Sequence, residues 1–248
     1  METPELEQKA KKLRKETLDL AMANHGSHFG AFFSVIEILI TLFEKTMKSE
    51  DKFILSKGHS CFPLYVLLKE RGYNPKICAH PDIDIENKIF CTTGSLGHGL
   101  PIAIGMAMAR KIQNKNGKIY VVMGDGECQE GTTWESLLLA PRHKLDNLVV
   151  IVDNNGIQGS GFVDQVLPIK RPLKKAAVEA GWDVEEIIDG HCFEELISIL
   201  NKNVYNKPRL IIANTTKGKG VSFMENKPEW HSKALTEEEL NQAYEELR

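Results

Sequence analysis

Two short polar segments of this sequence place oxygen ligands at the ends of apolar runs. Gly124-Asp125-Gly126 follows the run KIYVVM, and Asp153-Asn154-Asn155 ends the run NLVVIVD. One carboxylate and one carboxamide oxygen, held side by side by neighbouring parallel strands, form the hard-oxygen site that Mg²⁺ or Ca²⁺ prefers. Single Asp or Asn turns are common at strand ends. The pair, with one helix-like stretch and one strand-like run between, favours a metal site in which the glycines let the backbone pass close to a phosphate.

A parallel sheet is needed to bring these segments together, and the sequence predicts one. Apolar runs typical of buried strands lie at 53–55, 118–123, 147–153, 182–188 and 209–214. Helix-like stretches lie at 5–23, 34–45, 63–71, 98–112, 132–144, 171–180 and 192–202. This alternation predicts an α/β fold, a doubly wound parallel sheet with helices on both faces. Because no repeat, low-complexity tract or linker interrupts it, we expect one domain over 1–248.

In such sheets, ligands bind beyond the carboxyl ends of the strands. Small and polar residues follow four of the predicted strands, in the segments SKGHS, GDGECQEG, NNGIQGSG and TTKGKG. Turns of this kind let backbone amides and helix N-termini contact an anion. The sequence therefore predicts a phosphorylated ligand at this edge of the sheet.

Composition narrows the possible partners and compartment. The net charge of −3 lacks the basic excess that nucleic-acid binding requires. The five cysteines are scattered without a CxxC pair, which indicates neither disulfides nor zinc and favours a reducing cytoplasm. The most apolar run, 35–43, is too short for a membrane span, and the N-terminus has no signal-peptide core. We expect a soluble, unprocessed cytoplasmic protein with no nucleic-acid or membrane partner.

The motifs together resemble the thiamine diphosphate family, whose cofactor signature begins GDG and ends NN about thirty residues later. FILSKGHSCFPLY (53–65) and TTGSLGHGL (92–100) resemble transketolase segments, the second matching the family's TTGSLGQG loop. The resemblance extends from about residue 10 to 235 and implies a diphosphate-type binding domain. It implies thiamine diphosphate and Mg²⁺, with Ca²⁺ or Mn²⁺ as alternatives, as cofactors.

Residue roles follow from this resemblance position by position. The implied metal ligands are Asp125, Asn155 and the carbonyl of Ile157. The implied cofactor-binding residues are His59, Gly94, Ser95, Leu96, Gly124, Asp125, Gly126, Glu127, Asn155 and Ile157. The implied catalytic residues around the substrate's hydroxyls or the cofactor are His28 in GSHFG, His80 in AHPD and His231 in EWHSKAL. Imidazoles suit this work because each can donate or accept a proton near neutral pH.

The remaining histidines and some departures from the family pattern carry further expectations. His25, His143 and His191 are expected to be surface or core residues, and His98 is expected in the pocket wall. Phe29, Phe32 and Phe33 stand where the family has small residues, which predicts a narrower or more apolar pocket mouth. Pro141 is expected to end its helix early.

The resemblance covers only the first of the three domains of a full-length transketolase. In the family, the glutamate that activates the cofactor belongs to the following, pyrimidine-binding domain. The implied protein is the N-terminal subunit of a split transketolase, paired with a C-terminal subunit in an α2β2 arrangement. Glu130, Trp134 and the 156–168 loop are expected at the interface. The implied reaction moves a two-carbon ketol unit between sugar phosphates, as in the pentose phosphate pathway.

Two other readings stay open. Within the same fold, the chain could belong to another thiamine diphosphate-dependent ketol or acyl transferase, such as a deoxyxylulose phosphate synthase-like enzyme, although it is short for a complete synthase. In a different class, it could be a cofactor-binding module without activity of its own. A nucleotide site is disfavoured because LGHGLPIAIG is not a G-x-G-x-x-G motif after a strand, and TTKGKG lacks P-loop spacing.

Overall fold

The computed structural model describes all residues from 1 to 248, around a five-stranded parallel sheet. The strands are β1 Lys52–Leu55, β2 Ile119–Gly124, β3 Leu148–Asn154, β4 Ile157–Gln158, β5 Gly161–Phe162, β6 Asp183–Ile187 and β7 Arg209–Asn214. The sheet has the order β1-β2-β3-β7-β6, and β4 pairs with β5 in a separate antiparallel hairpin. All five strands predicted from the apolar runs are present, and the predicted α/β fold class is confirmed.

Ten α-helices accompany the strands. They are α1 Thr3–Ala23, α2 Phe29–Ser34, α3 Ile36–Thr41, α4 Phe62–Glu70, α5 Gly99–Ile112, α6 Gly131–Arg142, α7 Val163–Val166, α8 Lys170–Ala180, α9 Phe193–Leu200 and α10 Glu237–Glu246. Single 3₁₀ turns lie at Gly58–Ser60, Gly126–Gln129 and Pro228–His231.

Alternation of side chains along the strands divides the core into two layers. On β3, Val149 and Ile151 join a cluster that includes residues of α1, α3, α4 and α9. Val150 and Val152 point the other way, into a cluster with residues of α5, α6 and α8. Because both faces are covered by helices, the strands need no polar alternation, and this explains their continuous apolar runs.

The strand register brings the polar segments to one edge. Gly124 at the end of β2 pairs with Asp153 of β3, and Asn154 of β3 pairs with Asn214 of β7. After β3 the chain crosses to the outer strand β6 and returns as β7 beside β3. The chain therefore reverses its direction across the sheet at β6, and the polar segments lie at the carboxyl ends of the central strands β2, β3 and β7, where open α/β sheets bind ligands.

The predicted helix at 34–45 is wrong in its bounds. Helical structure begins at Phe29, is interrupted at Val35 and ends in a π-helical turn over Leu42–Thr46. Ser34 donates a hydrogen bond from Oγ to Asp153 Oδ2 at 2.6 Å, which ties the end of α2 to the sheet edge. The interruption thus lies next to a contact between distant parts of the chain, which local apolar spacing does not encode.

Pro141 does not end its helix early, since α6 continues to Arg142. A proline has no N–H to donate to the carbonyl four residues before it, here that of Leu137. The indole Nε1–H of Trp182 donates to this carbonyl at 2.8 Å instead. The Leu137 carbonyl, which has no helical donor because of Pro141, is therefore satisfied by a side chain from the segment between α8 and β6.

No helix in the structure combines the length and the apolar character that crossing a bilayer requires. The five cysteines are all free thiols, and Cys61, Cys91 and Cys128 are buried.

Candidate active site

A polar cleft of about 370 Å³ lies at the carboxyl edge of the sheet. Among its 19 lining residues only Leu96 and Ile157 are hydrophobic. The lining contains every residue that the sequence assigned to catalysis, cofactor or metal except Ser95: His28, His59, His80, Gly94, Leu96, Gly124, Asp125, Gly126, Glu127, Asn155, Ile157 and His231. Segments far apart in sequence thus meet in one cleft.

Asp125 of the first polar segment is hydrogen-bonded to the backbone that directly follows the second. Asp125 accepts backbone N–H groups with both oxygens, from Gly126 at 2.7 Å and from Gly156 at 2.6 Å. The carboxamide oxygen of Asn155 accepts the Ile157 N–H at 3.2 Å. Burial, reinforced by the charge of Asp153, raises the pKa of Asp125 to about 6. A buried carboxylate with a raised pKa is stabilised in its ionised form by a nearby cation.

The oxygen set fits a hard divalent cation by its chemistry. Asp125 supplies charge, and the side-chain oxygen of Asn155 and the carbonyl of Ile157 supply neutral oxygens, as Mg²⁺ and Ca²⁺ sites do. The structure contains no group of three or more His, Cys, Asp or Glu side chains that could hold a metal. The predicted ligand set has one carboxylate and otherwise neutral oxygens, so it would not count as a group of three such side chains.

Two lysines that the sequence analysis did not single out lie in the cleft, each with 1% of its surface exposed. Lys57 forms an ion pair with Asp153 at the floor of the site. Lys217 donates to the carbonyl oxygen of Ile157 at 3.0 Å, and its Nζ lies 3.0 Å from His231 Nδ1. Both belong to segments, SKGHS and TTKGKG, that follow strands. The sequence signal that could have identified both is that each lysine follows the end of a strand by no more than three residues.

The charges of these lysines are only partly compensated. Burial alone would raise the pKa of Asp153, but the charge of Lys57 and its hydrogen bond lower it, so the carboxylate is ionised. Burial, followed by the charge of Lys57, lowers the pKa of Lys217 to about 7. Two buried cationic groups beside backbone amides favour an anionic ligand.

Four histidines form a cluster next to Lys217, whose Nζ contacts one of them, His231. The ring centroid of His28 lies 5.4 Å from that of His59, 6.4 Å from that of His80 and 5.7 Å from that of His231. Burial, then the neighbouring positive groups, lowers the pKa of His28 to about 4 and that of His231 to about 3. Burial and Lys57 keep the pKa of His59 well below its usual range. His28, His59 and His231 are therefore neutral at pH 7, and each ring can donate one hydrogen bond and accept another.

Glu127 ties together three segments that lie apart in sequence: the turn after β1, the loop before α5 and the end of β2. The carboxylate accepts the Ser56 hydroxyl after β1, the Gly97 N–H at 2.9 Å and the Gly124 N–H at 3.1 Å. Burial raises its pKa. Glu127 thus supports the cleft walls as well as lining the cleft.

Three sequence expectations about the pocket differ from the structure. Ser95 is exposed and does not line the cleft; its hydroxyl lies 3.4 Å from His98 Nδ1. His98 is also exposed and lies outside the lining, so it is not a pocket-wall residue. Phe29, Phe32 and Phe33 are buried in the core and do not narrow the mouth. The backbone of α2 turns these rings inward, where Phe32 packs on Phe62 at 5.1 Å between centroids.

The family model for the thiamine diphosphate-binding domain of transketolase matches residues 6–247. The chain belongs to the transketolase family. This match confirms the predicted family, a thiamine diphosphate-binding domain and the assignment to ketol-transferring enzymes.

Two relatives of nearly equal length are themselves subunits of larger enzymes. One is a subunit of the apulose-4-phosphate transketolase of Actinobacillus succinogenes, 39% identical over 98% of this chain and 96% of its own length. The other is the 6-deoxy-6-sulfo-D-fructose transketolase subunit SqwG of a Clostridium species, 35% identical over 98% of this chain and 96% of its own length. Both relatives are transketolase subunits that this chain matches over nearly their whole length.

Solved transketolases share the fold of this family member. The transketolase of Campylobacter jejuni superposes with a TM-score of 0.84 at 31% identity, covering 100% of this chain and 43% of that one. The transketolase of Leishmania mexicana superposes with a TM-score of 0.89 at 27% identity, covering 98% and 41%. The chain spans less than half the length of these structures.

Proposed function

We propose that this chain is the N-terminal, cofactor-binding subunit of a split transketolase. It would transfer a two-carbon ketol unit from a ketose to an aldose, both sugar phosphates, with thiamine diphosphate and Mg²⁺. The observation that carries the proposal is that one cleft contains Asp125, Asn155 and Ile157 together with two buried lysines and four histidines. Anion, metal and hydroxyl recognition are thus available in one cleft.

Each group in the cleft has a role suited to its chemistry. Asp125, Asn155 and the Ile157 carbonyl would hold Mg²⁺, or Ca²⁺ or Mn²⁺ in its place. Lys217, with His59, would hold the diphosphate through donated hydrogen bonds, strongest when the donor is charged. Gly94 and Leu96 would line the rings of the cofactor, whereas Ser95 stays a predicted cofactor-binding residue whose side chain lies outside the cleft lining. Thiamine diphosphate, when bound, supplies the nucleophile and the electron sink that break a bond beside a ketose carbonyl.

The catalytic assignment of His28, His80 and His231 also belongs to this proposal. Because His28 and His231 are neutral at pH 7, each can accept a hydrogen bond from a sugar hydroxyl with one ring nitrogen and donate one from the other. Their rings lie within 6 Å of each other, close enough to contact neighbouring hydroxyls of one sugar.

A second subunit completes the site in this proposal. The cleft offers two hydrophobic side chains, too few to cover the aromatic rings of a thiamine cofactor. Exposed apolar residues on α6 and in the 156–168 loop, the segments expected at the interface, also call for a partner surface: Leu138, Leu139, Phe162, Val166 and Leu167. We infer that a C-terminal subunit with a pyrimidine-binding domain docks here, supplies the activating glutamate and forms an α2β2 heterotetramer. The cytoplasmic location and the pentose phosphate pathway remain parts of the proposal.

The test is reconstitution. The purified chain is assayed for ketol transfer with thiamine diphosphate and Mg²⁺, before and after adding the partner subunit identified by co-purification and native mass spectrometry. We expect turnover only with the partner. Robust turnover by this chain alone would refute the split arrangement, whereas cofactor binding without turnover in any complex would favour a module without activity.

A further inference from the structure

A buried network of three charged or titratable side chains lies outside the cleft. It consists of Arg14 on α1, Glu37 on α3 and His191, which precedes α9, with side chains 5%, 7% and 8% exposed. The guanidinium Nη2 of Arg14 donates to both carboxylate oxygens of Glu37, at 2.8 and 3.0 Å. None of the three residues lines the cleft.

Hydrogen bonding fixes the tautomer of His191. Its Nε2 lies 2.8 Å from the backbone nitrogen of Thr216. Because a backbone N–H can only donate, Nε2 must be the unprotonated, accepting nitrogen. The ring proton then lies on Nδ1, 2.9 Å from Glu37 Oε2, and is donated to that carboxylate. Contacts on both sides therefore specify the neutral Nδ1–H form.

Glu37 is ionised and can only accept. Burial would raise the pKa of this carboxyl, but the charge of Arg14 and the hydrogen bond from His191 outweigh burial and lower it. An ionised carboxylate beside Nδ1 favours a proton on that nitrogen. The orientation of His191 is thus set by a charge pair that is itself buried.

The network holds the loop on both sides of Lys217. Thr216, whose amide His191 accepts, is the residue before Lys217. Arg14 Nε donates to the carbonyl of Lys219, two residues after Lys217, at 2.8 Å. Gly218 between them adopts φ +78°, and a Cβ at this position would meet the Met224 carbonyl oxygen at 2.6 Å. The loop therefore has little freedom to place Lys217 elsewhere.

We propose that His191 is a positioning residue: by accepting the Thr216 amide in its Nδ1–H form, it holds the loop that presents the Lys217 ammonium to the cofactor's diphosphate. The identity of the anion rests on the proposed function. The tautomer and the loop contact rest on geometry alone.

The tautomer is measured first, on the unmodified full-length chain. Two-bond ¹H–¹⁵N correlation spectra of histidine-labelled protein at pH 7 distinguish the two neutral forms from the charged ring. His191→Gln identifies the signal by its absence. We expect Nδ1 protonated and Nε2 unprotonated. A ring protonated on Nε2 would overturn the proposal, whatever the protein binds.

The positioning role is measured by two substitutions in the reconstituted complex. His191→Leu removes the acceptor, whereas the side-chain oxygen of His191→Gln can still accept the Thr216 N–H. We expect His191→Leu to weaken thiamine diphosphate binding in calorimetry by about tenfold, as loss of a supporting partner typically does. Its KM for the cofactor should rise, with kcat at saturating cofactor and the KM for sugar unchanged. His191→Gln should recover most of the affinity.

A matched control and a second measurement keep the result interpretable. His143→Leu changes an exposed histidine far from the loop in sequence and should leave affinity unchanged. Amide exchange at Thr216 should accelerate in His191→Leu and stay slow in His191→Gln.

Unchanged cofactor affinity with a faster Thr216 amide would overturn the proposal. If His191→Leu does not fold, loss of Thr216 protection in His191→Gln without loss of affinity would overturn it equally. Absence of thiamine diphosphate binding by the unmodified complex would instead refute the proposed function.

Discussion

The interior of the sheet and its carboxyl edge are equally buried but opposite in character. Val150 and Ile151 in the middle of β3 are fully buried among apolar neighbours. Two residues later Asp153 is just as buried, and Lys57 and Lys217 nearby are 1% exposed. Burial stabilises the apolar residues and costs free energy for the charged ones unless they are paired. Inside the sheet, burial itself stabilises the fold, whereas at the carboxyl edge the fold depends on the pairing of buried charges.

The largest effect is expected at the ion pair between Lys57 and Asp153. Asp153→Ala leaves Lys57 buried without a counter-charge, and breaking a buried pair in this way typically costs about 3–5 kcal/mol. We expect a loss of this size in the free energy of unfolding, measured by urea denaturation. The hydroxyls of Ser34 and Thr215, which both donate to Asp153, would lose their acceptor as well.

Removing both charges separates stability from function. Lys57→Met combined with Asp153→Leu replaces the pair by apolar groups of similar volume, a change that is often neutral for stability. The double variant should recover most of the free energy of unfolding that Asp153→Ala loses, yet bind thiamine diphosphate poorly. A double variant as unstable as Asp153→Ala would show that the pair is needed by the fold itself.

At Lys217 we expect a smaller effect, which falls on cofactor binding rather than on stability. Lys217→Met should weaken cofactor binding by about 10–100-fold, the value of a charged hydrogen bond. It should leave the free energy of unfolding at pH 7 unchanged or higher, because burial lowers the pKa of Lys217 to about 7 and disfavours its charged form. Calorimetry and denaturation of the same preparation test both parts. Lower stability of the variant at pH 7 would contradict the account.

The sign of the pH dependence follows from this lowered pKa. The folded chain releases the Lys217 proton near pH 7, whereas the unfolded chain keeps it up to about 10.4. Raising the pH between these values therefore favours the folded state of the unmodified protein. Any stability advantage of Lys217→Met at pH 7 should shrink as the pH approaches 10.

The smallest effect is expected inside the sheet. Ile151→Val removes one buried methylene group and should lower the free energy of unfolding by about 0.5–1.5 kcal/mol. Thiamine diphosphate affinity should not change, because Ile151 does not line the cleft. Weaker cofactor binding in this variant would contradict the conclusion that residues inside the sheet do not contribute to the site.

The sheet could be predicted because its signal is local. All five strands were found from apolar runs, and their shared carboxyl edge follows from parallel pairing. The hairpin of β4 and β5 was missed because two-residue strands have no periodicity. The helix predicted from residue 34 begins at Phe29 instead and is interrupted at Val35, beside Ser34, which is held by Asp153 across more than a hundred residues.

The site was predicted mainly through resemblance, and its electrostatics could not be. The motifs located the histidines, Asp125 and Asn155, and the structure brings them into one cleft. Lys57 and Lys217 were missed because a lysine is usually exposed, and only the fold reveals that these two are buried. His191 was taken as an ordinary surface or core residue because its role depends on Glu37 and Thr216, which are distant in sequence. The single domain over 1–248 and the individual residue roles stay predictions.

The central claim is that this edge of the sheet holds the metal and the diphosphate together, and substitution of Asp125 tests it most directly. Thiamine diphosphate is titrated calorimetrically into the reconstituted complex, with and without Mg²⁺, for the unmodified chain, Asp125→Asn and the control Glu179→Gln on the exposed face of α8. We expect Asp125→Asn to weaken cofactor binding strongly and to remove its dependence on Mg²⁺, while Glu179→Gln changes neither. Unchanged affinity and unchanged Mg²⁺ dependence in Asp125→Asn would contradict the central claim.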